Sequence, residues 1–281
     1  MQKSFTFIRS QLRGLYPDTE IGSLSHLILE FVCQKDRHSL WLDKDKQLSA
    51  NDRRRIEEIV AELKNFRPLQ YITGETEFYG MIFNVDESVL IPRPETEELV
   101  EWIVNEESPA AILDLGAGSG CIAVSLAKQL PFASVYALDV SGKALEIAKR
   151  NAARNNVNVQ FVLHDLFEDL PDNLPEQWDV IVSNPPYVTP AEKAKMSKNV
   201  LDYEPQQALF VPQDKPLLFY ERIAAIASTC LKKEGSLYLE TSSIYGKETA
   251  AMLKDKGFQT VELRKDISGR DRMIRAQLKN T

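Results

Sequence analysis

The sequence predicts an α/β protein, with a parallel sheet flanked by helices, a small helical bundle ahead of it and a β-hairpin between them. Three observations predict this. From residue 110 onward, short apolar runs of strand length alternate with amphipathic helical stretches, the pattern of strands joined by right-handed helical crossovers. The first 67 residues repeat their apolar side chains at helical spacing. A glycine-rich run, Gly116-Ala117-Gly118-Ser119-Gly120, stands where the first of those strands meets the first helix. At roughly 150 residues per domain, 281 residues accommodate about two domains.

The elements follow in order. Phe5, Ile8, Leu12 and Leu15 mark a first helix, Leu24, Leu27, Ile28 and Phe31 a second, and Ile56, Ile59, Val60 and Leu63 a third. Gly14 and Pro17 punctuate the first pair, and Ser49 followed by Asp52 reads as a helix start. Residues 1–67 thus form a helical domain whose His26, His38 and Trp41 read as packing or surface residues. At Arg67-Pro68 the period changes. Tyr71–Gly74, Glu77–Gly80 and Met81–Val85 are short aromatic and β-branched runs broken by glycines, which places a hairpin hinge over residues 68–90. Residues 91–281 then form the α/β domain. Its strands are expected at Ala110–Leu115, Val135–Val140, Val159–Leu163, Trp178–Ser183, Ser236–Glu240, Thr260–Leu263 and Met273–Leu278. Helices are expected at Cys121–Gln129, Ser141–Asn155, Leu217–Leu231 and Gly246–Lys256.

Composition narrows the function. With 43% hydrophobic and 27% charged residues, the chain can bury a core, which excludes a disordered polymer. No apolar run approaches the roughly 20 residues that span a bilayer. The opening MQKSFTFIRSQLRG has charges inside its short apolar run, unlike a signal peptide, so a cytoplasmic protein with reduced Cys33, Cys121 and Cys230 is expected. The cysteines have no CxxC spacing and no nearby histidine, so no metal site is expected. The net charge of −7 is uneven: residues 1–75 carry +1 and the rest −8. An acidic larger part suits phosphate-rich partners poorly, so no stable nucleic-acid binding is expected.

Two motifs carry chemistry. Glycines in the Gly116–Gly120 run let the chain turn tightly against a ligand, and the free N–H groups of the following helix favour a carboxylate or phosphate. Asp139 ends the second strand, where a carboxylate accepts ribose hydroxyls; Asp165 ends the third, placed for an adenine amino group, with Leu166 against the ring. The three together predict an adenosine-bearing cofactor. The spacing lacks one residue of the dinucleotide pattern and has no Walker lysine, which argues against dinucleotides and nucleoside triphosphates. The second motif is Ser183-Asn184-Pro185-Pro186-Tyr187, at the end of the fourth strand. Successive prolines stiffen the backbone, so the Asn184 side chain and the Pro185 carbonyl offer two acceptors converging on one NH2 group. Tyr187 offers a flat surface to a planar amide or base.

Together these motifs resemble the class I S-adenosylmethionine-dependent methyltransferases that act on planar NH2 groups. Other segments resemble the HemK/PrmC family: Arg67–Gly74, Glu77–Gly80, Leu90-Ile91-Pro92-Arg93-Pro94-Glu95-Thr96-Glu97, Glu204-Pro205 with Ala208-Leu209, and Asp266–Arg272. The resemblance covers essentially the whole chain. It implies a Rossmann-like sheet with its last strand antiparallel, and methyl transfer to the glutamine of the Gly-Gly-Gln loop of class-1 peptide chain release factors. It further implies S-adenosylmethionine at Gly116, Ala117, Gly118, Ser119 and Gly120, Asp139, Asp165, Leu166 and Asn184, leaving S-adenosylhomocysteine as product. Asn184, Pro185 and Tyr187 would be catalytic, and Asn184–Tyr187 would hold the substrate. Arg93 and Glu95 read equally as pocket-wall or hinge residues and as an ordinary connector. The helical domain is expected to recognise the substrate, and a monomer is expected.

One segment departs from the family. After Ser236–Glu240, relatives usually continue with a glycine and then Gln-Gly, whereas this chain reads Thr241-Ser242-Ser243. Some relatives also carry an aromatic at the Leu166 position. The rival readings are a glutamine methyltransferase of a ribosomal protein, a nucleic-acid amino methyltransferase, which would need to flip a base into the pocket, and a non-catalytic scaffold that binds a translation factor.

Overall fold

The structure is a computed structural model that describes residues 1–43 and 45–278, so the last three residues of the expected 91–281 segment lie outside the described residues. It divides into two compact units, Met1–Gly74 with Ser197–Tyr203, and Glu75–Met196 with Glu204–Thr281.

The first unit is helical. Helices α1 (Gln2–Leu12), α2 (Asp18–Cys33) and α4 (Ala50–Lys64) surround Ile8, Leu12, Ile21, Ile28, Ile56, Ile59 and Leu63, all buried. Helix α4 starts where Ser49 and Asp52 form a reciprocal capping box, as their spacing predicts. Several expectations shift. Helix α1 stops at Leu12, and Gly14 turns the chain with φ +83°, so Leu15 lies past the helix and is exposed. A short helix α3 (Arg37–Leu42), capped by the Asp36 side chain, was not legible as a periodic run. The run Tyr71–Thr73 is also not a strand. It belongs to a helical turn, α5 (Leu69–Thr73), entered at Pro68 and ended by Gly74 at φ +77°, and burial of Leu69 and Tyr71 overrides the β-branched preference. Residues 197–203, expected within the catalytic segment, group with this unit. The Tyr203 hydroxyl donates to the Asn65 carbonyl at 2.9 Å, and the Lys198 ammonium lies 4.8 Å from the centre of the Phe66 ring.

The second unit opens with a hairpin of β1 (Glu75–Phe78) and β2 (Met81–Asn84). Its two turn residues, Tyr79 (φ +50°) and Gly80 (φ +69°), both have the positive φ of a type I′ turn. Helix α6 (Pro94–Glu106) follows, with proline in its first turn. Then come β3 (Ala111–Leu115), α7 (Cys121–Gln129), β4 (Ser134–Asp139), α8 (Gly142–Arg154), β5 (Gln160–Leu163) and β6 (Trp178–Ser183). After a 3-10 turn at Pro190–Lys195 the chain passes through the short helix α9 (Lys198–Tyr203), which belongs to the first unit, and then α10 (Gln206–Leu209). The chain finishes with α11 (Leu218–Cys230), β7 (Leu231–Glu240), α12 (Gly246–Asp255), β8 (Phe258–Lys265) and β9 (Asp271–Leu278).

The sheet order is β5-β4-β3-β6-β7-β9-β8, parallel except for β9, which runs antiparallel to both its neighbours. Strand periodicity assigns the faces. Ile112, Val180 and Val182 turn toward α6 and α7, while Leu113, Leu115 and Ile181 turn toward α11 and Tyr220. Both faces are covered, which is why these strands read as continuous apolar runs. From β3 the chain winds outward to β4 and β5, then returns to β6 on the other side. The switch point therefore falls between β3 and β6.

Candidate active site

At that switch point two loops leave adjacent parallel strands, with Asp114 of β3 paired against Val182 of β6. The glycine run follows one strand and Asn184–Tyr187 the other. Between them lies a cavity of about 330 Å³ lined by Gly116–Ser119, Asp139, His164–Phe167, Asn184, Pro185 and Pro186, among others. Such volumes suit a small-molecule ligand.

The glycines act in two ways. Gly116 (φ +86°) and Gly118 (φ +53°) hold a left-handed backbone, and a Cβ on either would meet no atom within 4 Å because it would project into open space. Gly120 (φ +78°) does not line the cavity; a Cβ there would come within 3.0 Å of the Ala148 Cβ on α8. It brings the start of α7 against α8. The N–H groups of Gly116 and Ala117 donate to the Leu138 carbonyl at 2.9 and 2.8 Å, tying the loop to β4. Asp139 continues the tie: its two oxygens accept from the N–H groups of Gly118 and Ser141, each at 2.8 Å. Burial raises its pKa against the backbone N–H groups of Ser141, Gly118 and Val140 that face it. Asp165 is exposed at the cavity rim, with one oxygen taken by the Phe167 N–H at 2.9 Å.

Beneath the loop lies a residue that sequence reasoning passed over. Asp114 is fully buried, and beyond the nearby Ala123 N–H its carboxylate meets no hydrogen-bond partner. Burial pushes its pKa up to about 7; the Asp139 charge adds to the rise and the Ala123 N–H opposes it. An apolar-looking strand end with one acid was the available signal. Cys121 also lines the cavity, and burial raises its thiol to about 12, so it stays protonated and is no nucleophile.

The second motif is less simple than its sequence. Asn184, Pro185 and Pro186 line the cavity, but Tyr187 does not. Its ring packs against the core cluster under α11, and its hydroxyl donates to Glu240 Oε1 at 3.1 Å. Burial, with the Glu240 charge beside it, holds that phenol well above its ordinary pKa, so it remains a donor. Glu240, at the end of β7, is itself 1% exposed, and burial raises its carboxyl pKa. Its Oε2 accepts from the Thr96 hydroxyl at 2.6 Å, and the Thr96 oxygen accepts from Asn184 Nδ2 at 3.2 Å. Arg272, bridged to Asp266 at 3.2 Å, brings its charge within 3.5 Å of the Tyr187 oxygen. Of these, sequence reasoning singled out only Asn184 and Tyr187, because Thr96 and Glu240 lie 144 residues apart in the chain.

The remaining candidates divide. Arg93 lines the cavity and makes a two-pronged ion pair with the buried Glu204, at 2.8 and 2.7 Å. Glu95 does not line it, though its charge faces Glu240. The Thr241–Ser243 segment also stays off the cavity wall: Thr241 and Ser242 are buried, and the Thr241 N–H donates to the Arg272 carbonyl at 2.7 Å. This arrangement can hold an extended ligand along the glycine loop and present an amide acceptor at its end.

Known proteins resemble this chain in sequence and in fold. A profile described as the methyltransferase small domain matches residues 94–207, and one described as the PrmC N-terminal domain matches residues 6–74. A release factor glutamine methyltransferase of Flavobacterium psychrophilum is 45% identical over 274 residues, covering 95% of this chain and 95% of that protein. One from Bacteroides thetaiotaomicron is 44% identical over 278 residues, covering 98% and 99%. Among solved structures, a methyltransferase from Pyrococcus furiosus superposes with a TM-score of 0.53 at 19% identity, covering 82% of this chain and all of that one. A 16S rRNA N2 G1207 methyltransferase from Thermus thermophilus, solved with AdoMet and guanosine, gives 0.53 at 18% identity, covering 73% and 50%. These two likenesses concern the fold.

Proposed function

The chain belongs to the release factor glutamine methyltransferase family, and on that premise we propose that it transfers a methyl group from S-adenosylmethionine to N5 of the Gly-Gly-Gln glutamine in class-1 peptide chain release factors. The observation that carries the proposal is the single cavity shared by the glycine loop and the Asn184 amide at the switch point. The cavity fits such a cofactor: Gly116 and Gly118 leave bare space where a Cβ would project, and the Asp139 carboxylate lines the wall beside them. Asp139 would take the ribose, Asp165 and Leu166 the adenine, and Gly116–Ser119 the methionine end. Bound there, the cofactor supplies an electrophilic methyl on a sulfonium.

The chain's own residues do the rest. An amide nitrogen is a poor nucleophile because its lone pair is delocalised into the carbonyl. Asn184 Oδ1 and the Pro185 carbonyl would accept the two N–H bonds of the substrate amide, which holds the nitrogen for in-line attack. The same two acceptors stabilise the positive charge that grows on the nitrogen. The stiff Pro185-Pro186 backbone keeps the second acceptor in place. No side chain is asked to act as base, since the proton can leave after transfer. Substrate recognition falls to the helical domain, because one glutamine loop offers little area for specificity. The enzyme would work as a monomer in the cytoplasm, alongside its translation-factor partner, without stable nucleic-acid binding.

A labelled-methyl assay on three acceptors tests the reading. Label should enter a class-1 release factor, and not ribosomal protein or DNA. Label in ribosomal protein or DNA alone overturns it.

A further inference from the structure

Asn184 poses a problem that its own motif does not solve. The two ends of a side-chain amide are nearly the same size and differ only in that the oxygen accepts while the nitrogen donates. Only with Oδ1 toward the cavity can Asn184 accept from a substrate N–H. With Nδ2 in that position, donor would face donor. Nothing in Asn184-Pro185-Pro186-Tyr187 decides between the two.

We propose that Thr96 and Glu240 are positioning residues that set this orientation. The inference rests on the methyl-transfer reading above and concerns how its acceptor is aimed. Thr96 stands in the first turn of α6 and is 2% exposed. Its hydroxyl has one proton, and at 2.6 Å from Glu240 Oε2 that proton is committed to the carboxylate. Toward Asn184 the same oxygen can only accept. Nδ2 at 3.2 Å is therefore the end that faces Thr96, and Oδ1 is left for the cavity. Among the described residues nothing donates to Oδ1.

Glu240 sets the direction of the chain of bonds. Were it protonated, it could donate to Thr96, the chain could run backward, and the amide could turn over. Burial favours that protonated form. The donors around it oppose it: the Thr96 hydroxyl on one oxygen, the Tyr187 hydroxyl on the other, and the Arg272 charge nearby. A buried carboxylate is costly to keep and is seldom retained for stability alone. Here it gives the hydrogen-bond chain a polarity that an apolar residue could not. Tyr187, which the cavity does not reach, also gains a role as a Glu240 donor.

The test compares Thr96→Val with Thr96→Ser. Valine keeps the buried volume and removes both hydrogen bonds, whereas serine keeps the hydroxyl and leaves a small void. If Thr96 only packs, valine is the better substitute. If it orients Asn184, serine is. We expect Thr96→Val to lower kcat about 10- to 30-fold, the loss of one orienting hydrogen bond, with cofactor Kd unchanged. Thr96→Ser should stay within about threefold of the parent. Glu240→Gln, whose amide can donate to Thr96, should fall in the valine range. In the Asn184→Ala background, adding Thr96→Val should change turnover less than about twofold, because the residue it acts through is gone. The proposal is overturned if Thr96→Val turns over better than Thr96→Ser, if Glu240→Gln keeps parental kcat, or if the double variant loses the full 10- to 30-fold again. Parental turnover by Asn184→Ala would instead sink the acceptor reading on which the proposal rests, and the two failures are thereby told apart.

Discussion

On the proposed function, Asn184 is the residue that presents the acceptor to the substrate amide. If its amide oxygen accepts from the substrate, Asn184→Ala should lower turnover at least about 100-fold, the usual cost of removing a polar group that stabilises developing charge. Cofactor affinity should change far less, since the glycine loop and Asp139 carry most of that binding on the proposed reading. Asn184→Asp keeps an acceptor and should retain measurable activity above that of the alanine variant; steady-state kinetics on a release factor reads both. Asp139→Ala should weaken cofactor binding by about 1.5–3 kcal/mol in a calorimetric titration. Part of that loss would come through the Gly118 and Ser141 N–H groups it releases. Asp114 makes a prediction about pH. Its native pKa of about 7 lies above the ordinary carboxylate value, so the folded chain holds a proton that the unfolded chain has released. Stability should then fall as pH rises from about 4 to about 7, by on the order of 4 kcal/mol. In Asp114→Asn that slope should flatten, as urea unfolding at pH 5 and pH 8 would show. The glycine run, Asp139, Asp165 and Asn184 were legible in the sequence because each ends or follows a strand, and strand ends meet at one edge. Thr96, Glu240 and Asp114 were not. Their significance lies in contacts across the fold, or in the lack of one.

Elements explain how the site is held. Asn151 of α8 is fully buried and joins the hairpin to the glycine loop: its Nδ2 donates to the Ser119 carbonyl at 2.8 Å and to the Asn84 carbonyl at 3.0 Å. Its Oδ1 accepts from the Asn84 backbone and side chain at 2.6 and 2.9 Å. Asn151→Ala should cost about 2–3 kcal/mol in denaturant unfolding, because buried partners on both sides are left unpaired. It should also weaken cofactor binding, since the Ser119 end of the loop is freed. The sheet strands and most long helices could be read from periodicity because the sheet is covered on both faces and each helix on one, but α6 (Pro94–Glu106) was not among the expected helices. Short elements escaped. The turn at Leu69–Thr73 is set by proline and glycine at its ends and by burial rather than by an apolar period. The segment Ser197–Tyr203 groups with the helical unit through a hydroxyl and an ammonium, and neither contact leaves a pattern along the chain.

At the scale of the whole molecule, the proposed function gives substrate choice to the helical unit and chemistry to the other. A short peptide carrying the glutamine loop should then bind poorly and show a much higher KM than the intact factor, while the two approach a similar kcat. Equal KM values would leave the helical unit without a recognition role. The central claim is that one glutamine amide is the acceptor. It is tested most directly by incubating the chain with labelled S-adenosylmethionine and a class-1 release factor, beside the same factor with its Gly-Gly-Gln glutamine replaced by asparagine. One methyl group should appear on that glutamine in the native factor and none in the substituted one. Label in both factors, or in neither while another protein accepts it, would contradict the claim.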